Sequence, residues 1–167
     1  GSPFTGDLKA GGSWRTYLLG TLGAGGKGYF ILDVTQPGSK NGSVPTTFST
    51  ANAASLVVMD RTLNASQPLT AGSEDEDVGH IFAAPVVDDS NPYKTSQIAL
   101  LNDKRWAVVM GNGYNSKNER PVLLIQYLDG AKELKRLVAT GSQTLSSPVN
   151  PITDTNIIAN GLSAPRL

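Results

Sequence analysis

Short apolar runs separated by glycine and proline are the feature that most restricts the fold of this chain. Its 167 residues include 18 glycines and 10 prolines, several of which end or interrupt apolar stretches only a few residues long. Such punctuation favours strands joined by turns over long helices. A chain of this length buries roughly two thirds of its unfolded surface on folding, so a sizeable core is expected. The sequence therefore predicts an all-β protein.

The first strands are predicted on either side of a glycine-rich loop. The runs at 14–20 and 27–34 carry apolar side chains on alternate and on intervening positions, which is typical of strands covered on both faces. Residues 35–54 show no sustained period and are interpreted as a long surface excursion. A short strand is predicted at 55–60, followed by a polar segment that ends in the acidic run 74–77.

A second unit repeats this order of strands. The apolar runs at 80–88, 105–111 and 121–128 are interpreted as strands. The Asp129-Gly130 pair then predicts a hairpin into the segment 133–139. We expect that segment to be a strand, because an isolated helix of two turns would be marginal.

The repetition indicates a β-propeller. Trp14 and Trp106 begin equivalent strands, and each unit has about four short strands with long connections, as propeller blades do. Because about two blades cannot close a ring of the usual ~4 to 8, we expect a portion of a larger, modified propeller, or one that packs against another copy. The blade-like units are expected at about 1–79 and 80–140, with 141–167 forming a linker and the start of the next blade.

Charge and cysteine content exclude several kinds of protein. The 14 Lys and Arg residues balance the 14 Asp and Glu residues, so nothing predicts binding to nucleic acid or to an anionic membrane. The absence of cysteine excludes disulfides, thiolate metal sites and a cysteine nucleophile. No stretch approaches the ~18 to 20 apolar residues of a membrane span, and the N-terminus does not resemble a signal peptide. We expect a soluble chain whose signal, if the parent protein is exported, has been removed.

The glycine-rich run at 23–28 is the first candidate binding motif. Its letters match a dinucleotide-binding fingerprint, but that site needs a helix after the glycines, and a β-like run halted by Pro37 follows here. It also fails as a phosphate-binding P-loop, since Thr21 replaces the first glycine and Gly28 replaces the magnesium-binding hydroxyl. A hairpin loop with positive φ is predicted instead.

The acidic residues offer no complete calcium loop. The twelfth position counted from Asp75 is Val86, where an EF-hand needs a bidentate glutamate, and the pair Asp88 and Asp89 fails in the same way. These side chains and the rest of the run 74–77 are interpreted as solvated loop carboxylates. No metal-binding residue is predicted.

Histidine and the aromatic residues are assigned structural roles. His80 is the sole histidine, and without a nucleophile-elbow pattern it is predicted to be a hydrogen-bonded structural residue. Trp14, Trp106, Tyr17 and Tyr29 lie in apolar strands, so core packing is predicted over stacking on sugars or bases. No catalytic or cofactor-binding residue is predicted.

Four motifs carry a family resemblance. The segments 14–35, 77–86, 106–116 and 160–165 resemble, in order, stretches of the C-terminal β-propeller region of the PilC-type, type IV pilus tip-associated adhesin family. The resemblance implies a non-enzymatic bacterial surface protein at the pilus tip and outer membrane. It implies roles in pilus assembly, twitching motility and attachment, with minor pilins and host-cell or abiotic surfaces as partners.

The resemblance also bears on cofactors. In that family a calcium-binding aspartate loop commonly follows the strand that begins with a Gly-Leu-Ser-Ala-Pro-like motif, here at 161–165. Calcium is therefore expected only downstream of Leu167, and no cofactor is expected in this chain.

Function is expected to reside in displayed loops. The loops at 36–54, 61–79 and 112–120 are predicted to present a binding surface on a rigid sheet scaffold. Two alternatives stay open. One is a quinoprotein-like dehydrogenase propeller, which would need calcium and a quinone. The other is a carbohydrate-binding module that uses Trp14 and Trp106.

Overall fold

Two four-stranded antiparallel sheets form most of the structure. A computed structural model describes residues 1–36, 48–64, 66, 69–82, 87–88, 91–95, 97–139 and 161–165. The strands are β1 (Phe4–Ala10), β2 (Ser13–Thr21), β3 (Gly28–Asp33), β4 (Val57–Thr62), β5 (Val87–Asp88), β6 (Asn91–Thr95), β7 (Ile98–Leu100), β8 (Trp106–Gly111), β9 (Val122–Tyr127) and β10 (Leu134–Val138). The sheet orders are β1-β2-β3-β4 and β10-β9-β8-β7, and β5 pairs with β6 separately. This architecture confirms the prediction of an all-β, partial propeller.

Glycines close the hairpins of the first sheet. Gly11 and Gly12 have φ values of 57° and 83° at the tip between β1 and β2. The run at 23–28 is a loop, as predicted, in which a short 3-10 helix (Gly23–Gly25) leads through Gly26 and Lys27 into β3. Gly23 and Gly28 have positive φ values of 54° and 113°, which explains the glycines without any bound nucleotide.

The second sheet contains the strands predicted at 105–111, 121–128 and 133–139, but its fourth strand, β7, was not predicted. The turn after β9 contains Gly130 with φ of 56°, and the chain returns as β10. The prediction of a strand rather than a helix over 133–139 is therefore confirmed.

The sheets pack face to face, with β1 against β7. A Cβ atom placed on Gly6 would lie 3.1 Å from the Cβ atom of Ile98, so the absence of a side chain lets the strands approach closely. The core between the sheets is made of buried apolar side chains at alternating strand positions. They include Phe4, Leu8, Tyr17, Leu19, Tyr29, Ile31, Ile98, Val108, Met110, Val122, Leu124 and Leu134.

The outer faces of both sheets are also apolar but only half covered. Leu18, Phe30 and Leu32 point away from the second sheet on β2 and β3 and are partly exposed. Leu123, Ile125 and Leu137 share the opposite outer face on β9 and β10, and Leu137 is 50% exposed. In the described strands of the two sheets, the inner face is therefore buried as predicted, whereas the outer face is only partly covered.

Two predicted segments differ in detail. The strand expected at 55–60 is preceded by a helical turn, α1 (Ala53–Leu56), and pairing starts at Val57. The strand expected at 80–88 is not continuous over its described part, because His80 forms only an isolated bridge with Tyr114. Residues 37–47 of the expected surface excursion, and residues 83–86, lie outside the described residues. The limits of the blade-like units stay a prediction.

No helix within the described ranges is both long and apolar enough to cross a membrane.

Candidate functional site

The segment that connects the first sheet to the second contacts both sheets at one end. Within it, the Gly79 amide donates to the Asn112 carbonyl at 3.0 Å, and its carbonyl accepts from the Gly28 amide at 3.2 Å. A Cβ atom on Gly79 would lie 2.4 Å from the Tyr114 carbonyl oxygen, so only glycine fits. The segment is therefore held between the turn that precedes β3 and the turn that follows β8.

His80 continues this connection with its backbone and its ring. Its amide donates to the Tyr114 carbonyl at 2.7 Å, and its Nδ1 lies 2.8 Å from the Gly23 carbonyl oxygen. Because a carbonyl only accepts, Nδ1 carries the proton and Nε2 is left as an acceptor in the neutral ring. The geometry agrees with the predicted structural, hydrogen-bonded histidine.

An exposed aromatic stack lies beside His80. The rings of Phe82 and Tyr114 are nearly parallel, with an interplanar angle of 9° and centroids 5.1 Å apart. Stacked aromatic pairs are commonly buried in a protein core, but here Phe82 is 43% exposed and Tyr114 is 47% exposed. With His80 and Leu162 they line a recess of about 220 Å³. The sequence did not single out either aromatic residue.

Residues 161–163 form the far wall of that recess. The Leu162 carbonyl accepts from the Gly113 amide at 3.1 Å, and the Leu162 amide donates to Asn112 Oδ1 at 3.0 Å. The turn after β8 therefore has the 79–82 segment on one side and the 161–163 segment on the other.

The Asn112 side chain holds the turn after β8 and its two neighbouring segments together. It is fully buried. Its Nδ2 donates to the carbonyls of Asp77 and Arg120, both at 2.9 Å, while Oδ1 accepts from the amides of Val122 and Leu162. All four hydrogen-bonding positions of the amide are used. The start of the loop at 112–120 is thus internal support and not the displayed loop that was predicted.

Asp77 is a second buried polar centre, and the prediction that it is a solvated carboxylate is wrong. Its side chain has no exposed surface and accepts from Arg120 Nε at 2.8 Å, Arg136 Nη1 at 2.7 Å and Asn118 Nδ2 at 2.9 Å. Burial by itself raises the pKa of Asp77, but hydrogen bonds from Arg120, Asn118 and Arg136 outweigh it and lower the pKa from 3.8 to about 2. The carboxylate is therefore ionised and anchors the second sheet.

The rest of the acidic run is also paired. Arg61 binds Asp75 at 2.8 Å and Glu74 at 3.0 Å, and Lys117 pairs with the mostly buried Glu76. Each of these carboxylates therefore has a cationic partner. Among the described residues, no group of three His, Asp or Glu side chains is placed to hold a metal ion.

A buried hydrogen bond links the two sheets through their core. The Tyr29 hydroxyl donates to Gln126 Oε1 at 2.8 Å, and Gln126 Nε2 donates to the Lys132 carbonyl at 2.7 Å. Burial raises the pKa of Tyr29 above its usual value, so the hydroxyl stays protonated. The predicted core role of Tyr29 is confirmed, as is that of Tyr17, which is 8% exposed.

The core role predicted for Trp14 is wrong. Trp14 is 66% exposed and touches Trp106 edge to face, with ring centroids 6.4 Å apart. The first three residues of β2, Trp14 among them, are exposed beside the hairpin to β1. Trp106 is partly buried and packs against the core. Because β2 runs from Trp14 towards Gly23, these indoles lie at the opposite end of the sheets from His80.

Comparison with known proteins covers the whole chain. A family model for the PilY1 beta-propeller domain matches residues 1–167. The type IV pilus biogenesis factor PilY1 of Pseudomonas aeruginosa (strain PAO1) is 34% identical over 167 residues, which is 100% of this chain and 10% of that protein. A type IV pilus biogenesis factor PilY1 homolog of Xylella fastidiosa is 33% identical over 128 residues, covering 77% of this chain and 6% of the relative.

A solved structure agrees with the fold. The crystal structure of the Pseudomonas aeruginosa PilY1 C-terminal domain matches with a TM-score of 0.61 and 32% identity, covering 100% of this chain and 24% of that one. This chain thus spans only a small part of its relatives. The match extends over both sheets and confirms the resemblance carried by the four motifs. The chain belongs to the PilY1 β-propeller domain family.

Proposed function

We propose that this chain is the propeller portion of a type IV pilus biogenesis factor that acts at the bacterial cell surface without catalysis. The observation that carries the proposal is the match, over the whole of this chain and 10% of the relatives, to proteins named as pilus biogenesis factors. The same name argues against the quinoprotein-like dehydrogenase. In this proposal pilus components such as minor pilins are the partners, and pilus assembly and twitching motility are the processes supported.

The distribution of buried polar groups supports a scaffold role. Asp77, Asn112 and Gln126 are fully buried and hydrogen-bonded, and they fix the connections between the two sheets. Buried polar groups of this kind stabilise one arrangement, since any other leaves them without partners. A rigid base of this type suits a protein that presents contact residues to a partner.

Attachment to host cells or abiotic surfaces is the finer part of the proposal, and Trp14 is its best-placed residue. Its indole is 66% exposed beside a hairpin and so offers a large contact area to a partner. Replacing this side chain should not disturb the packing of the core. A carbohydrate surface would be one possible target of this indole, which keeps the carbohydrate-binding alternative testable.

The test is made in the complete gene of the bacterium that encodes this chain. In-frame deletion of residues 1–167 is expected to lower surface pili and twitching while the remaining protein is still detected by immunoblot. Trp14→Ala is expected to leave pili and protein level unchanged and to lower attachment at least about twofold. Val57→Ala, which shortens another exposed apolar side chain of the same sheet, is the matched control. Normal pili, twitching and attachment in the deletion strain would contradict the proposal.

A further inference from the structure

A second recess adjoins the aromatic one, and His80 borders both. The larger recess measures about 580 Å³, within the size range of ligand sites. Its apolar wall comes from Leu22, Leu63 and Leu69, and its polar residues besides His80 include Lys27 and Asn64. It is formed beside the glycine-rich turn at 23–26, so this turn shapes one edge of a cavity.

Lys27 is the charged residue among the described residues that line this recess. It is half-buried, and within the part of the chain that the structure describes it makes no ion pair. The segment that leads from Asn64 to Leu69 reads Ala-Ser-Gln-Pro and adds no acidic side chain. A cation partly withdrawn from water without a partner favours the arrival of an anion.

Two further polar groups are available at the same place. Asn64 Oδ1 accepts from the Ser66 amide at 2.9 Å, which leaves the Asn64 amide nitrogen to donate outwards. The His80 ring is fixed by its Nδ1 bond to Gly23, so it cannot turn without losing that bond. The larger recess therefore combines apolar walls, an amide donor and an ammonium that has no ion pair within the described ranges.

The smaller recess supplies the complementary chemistry. Phe82 and Tyr114 present a stacked, half-exposed aromatic surface across His80 from the larger recess. An apolar or aromatic group placed there would cover surface that is now in contact with water. Because His80 borders both recesses, a ligand that occupies both needs an anionic end and an apolar end.

We propose that the two recesses form one binding site for an organic carboxylate that bears an aromatic or apolar group. The carboxylate binds at Lys27 and Asn64, and the apolar group rests against Phe82 and Tyr114. A free organic acid and the carboxyl end of a peptide chain share this chemistry. The site does not depend on the proposed role in pilus biogenesis.

The test is titration calorimetry on the complete protein that carries these residues, with hydrocinnamate as the probe. We expect a Kd on the order of a few millimolar, as for other fragment-sized ligands. Hydrocinnamamide, which lacks the charge, and propionate, which lacks the ring, are each expected to bind about tenfold more weakly. N-acetylphenylalanine imitates a peptide end, and its affinity relative to hydrocinnamate identifies which source the site prefers.

Matched variants separate the site from general charge effects. Lys27→Gln is expected to raise the Kd for hydrocinnamate about five- to tenfold and to leave that for hydrocinnamamide unchanged. Tyr114→Ala is expected to weaken hydrocinnamate but not propionate. Lys9→Gln removes an exposed lysine of β1 and is expected to change nothing. Circular dichroism checks that each variant is folded. Absence of saturable hydrocinnamate binding, or equal effects of the Lys27 and Lys9 substitutions, would overturn the proposal.

Discussion

Replacing Asp77 with asparagine tests how far one buried charge holds the second sheet in place. The two carboxylate oxygens accept hydrogen bonds from Arg120 Nε and Nη2, each at 2.8 Å. One of them also accepts from Arg136 Nη1 at 2.7 Å. Asp77→Asn keeps the shape of the side chain but removes the charge. It also turns an NH₂ group towards guanidinium donors, which are unable to accept a hydrogen bond.

The magnitude follows from the pKa. Lowering the pKa of Asp77 from 3.8 to about 2 corresponds to roughly 2 to 3 kcal/mol of folding free energy at neutral pH. The side chains of Arg120 and Arg136 are 40% and 28% exposed, so water replaces part of what they lose. The loss should therefore fall below the ~3 to 5 kcal/mol typical of breaking a fully buried pair. We expect Asp77→Asn to lower the free energy of unfolding by about 2 to 3 kcal/mol.

The effect should depend on pH in one direction. Because the folded-state pKa lies below the unfolded value, the contribution of Asp77 is complete above about pH 4 and is lost as the pH falls towards 2. The difference between the wild-type protein and Asp77→Asn should therefore shrink in acid. Urea denaturation followed by circular dichroism at pH 7 and near pH 2 measures both values.

Asp7→Asn is the matched control, since Asp7 is an exposed carboxylate of β1 whose oxygen accepts from Thr16 Oγ1 at 2.6 Å. Asparagine keeps that acceptor, so the change should stay within about 0.5 kcal/mol. A loss of less than about 0.5 kcal/mol for Asp77→Asn at pH 7 would refute the reasoning. So would a difference that is the same at pH 7 and in acid.

Two further substitutions test the contacts between the sheets. Tyr29→Phe leaves the Gln126 oxygen without its donor in the core and should lower the free energy of unfolding, measured by urea denaturation, by about 1 to 2 kcal/mol. Tyr17→Phe should lower it clearly less. Equal losses would contradict a special role for the Tyr29 hydrogen bond. Gly79→Ala places a Cβ atom 2.4 Å from a carbonyl oxygen and should cost more than about 2 kcal/mol, whereas Gly25→Ala meets nothing within 4 Å and should be nearly neutral. A stable Gly79→Ala protein would show that the connection can shift.

Much of the fold could be predicted from the sequence because its signals are local. Turn residues and apolar periodicity identified β10 as a strand and the run at 23–28 as a loop. The correspondence between Trp14 and Trp106 identified β2 and β8 as equivalent strands.

The polar centres could not be predicted, because their partners are distant in the chain. Asp77 meets Arg120 and Arg136 only after 43 and 59 residues, so its run of carboxylates looks like a solvated loop. The exposure of Trp14 beside the hairpin to β1 is not encoded in the apolar pattern of β2. The aromatic stack of Phe82 and Tyr114 likewise forms only when the chain is folded.

The shared backbone of Gly79 has a consequence for how the protein unfolds. Its amide donates to the Asn112 carbonyl in the turn after β8 and its carbonyl accepts from the Gly28 amide that opens β3, so melting either sheet frees one side of the connection that the other sheet holds. The two sheets should therefore open together as one cooperative unit, not one after the other. The amide hydrogens of Gly28 and Gly79 should accordingly exchange with solvent only through opening of the whole structure, unlike those of a fraying edge strand.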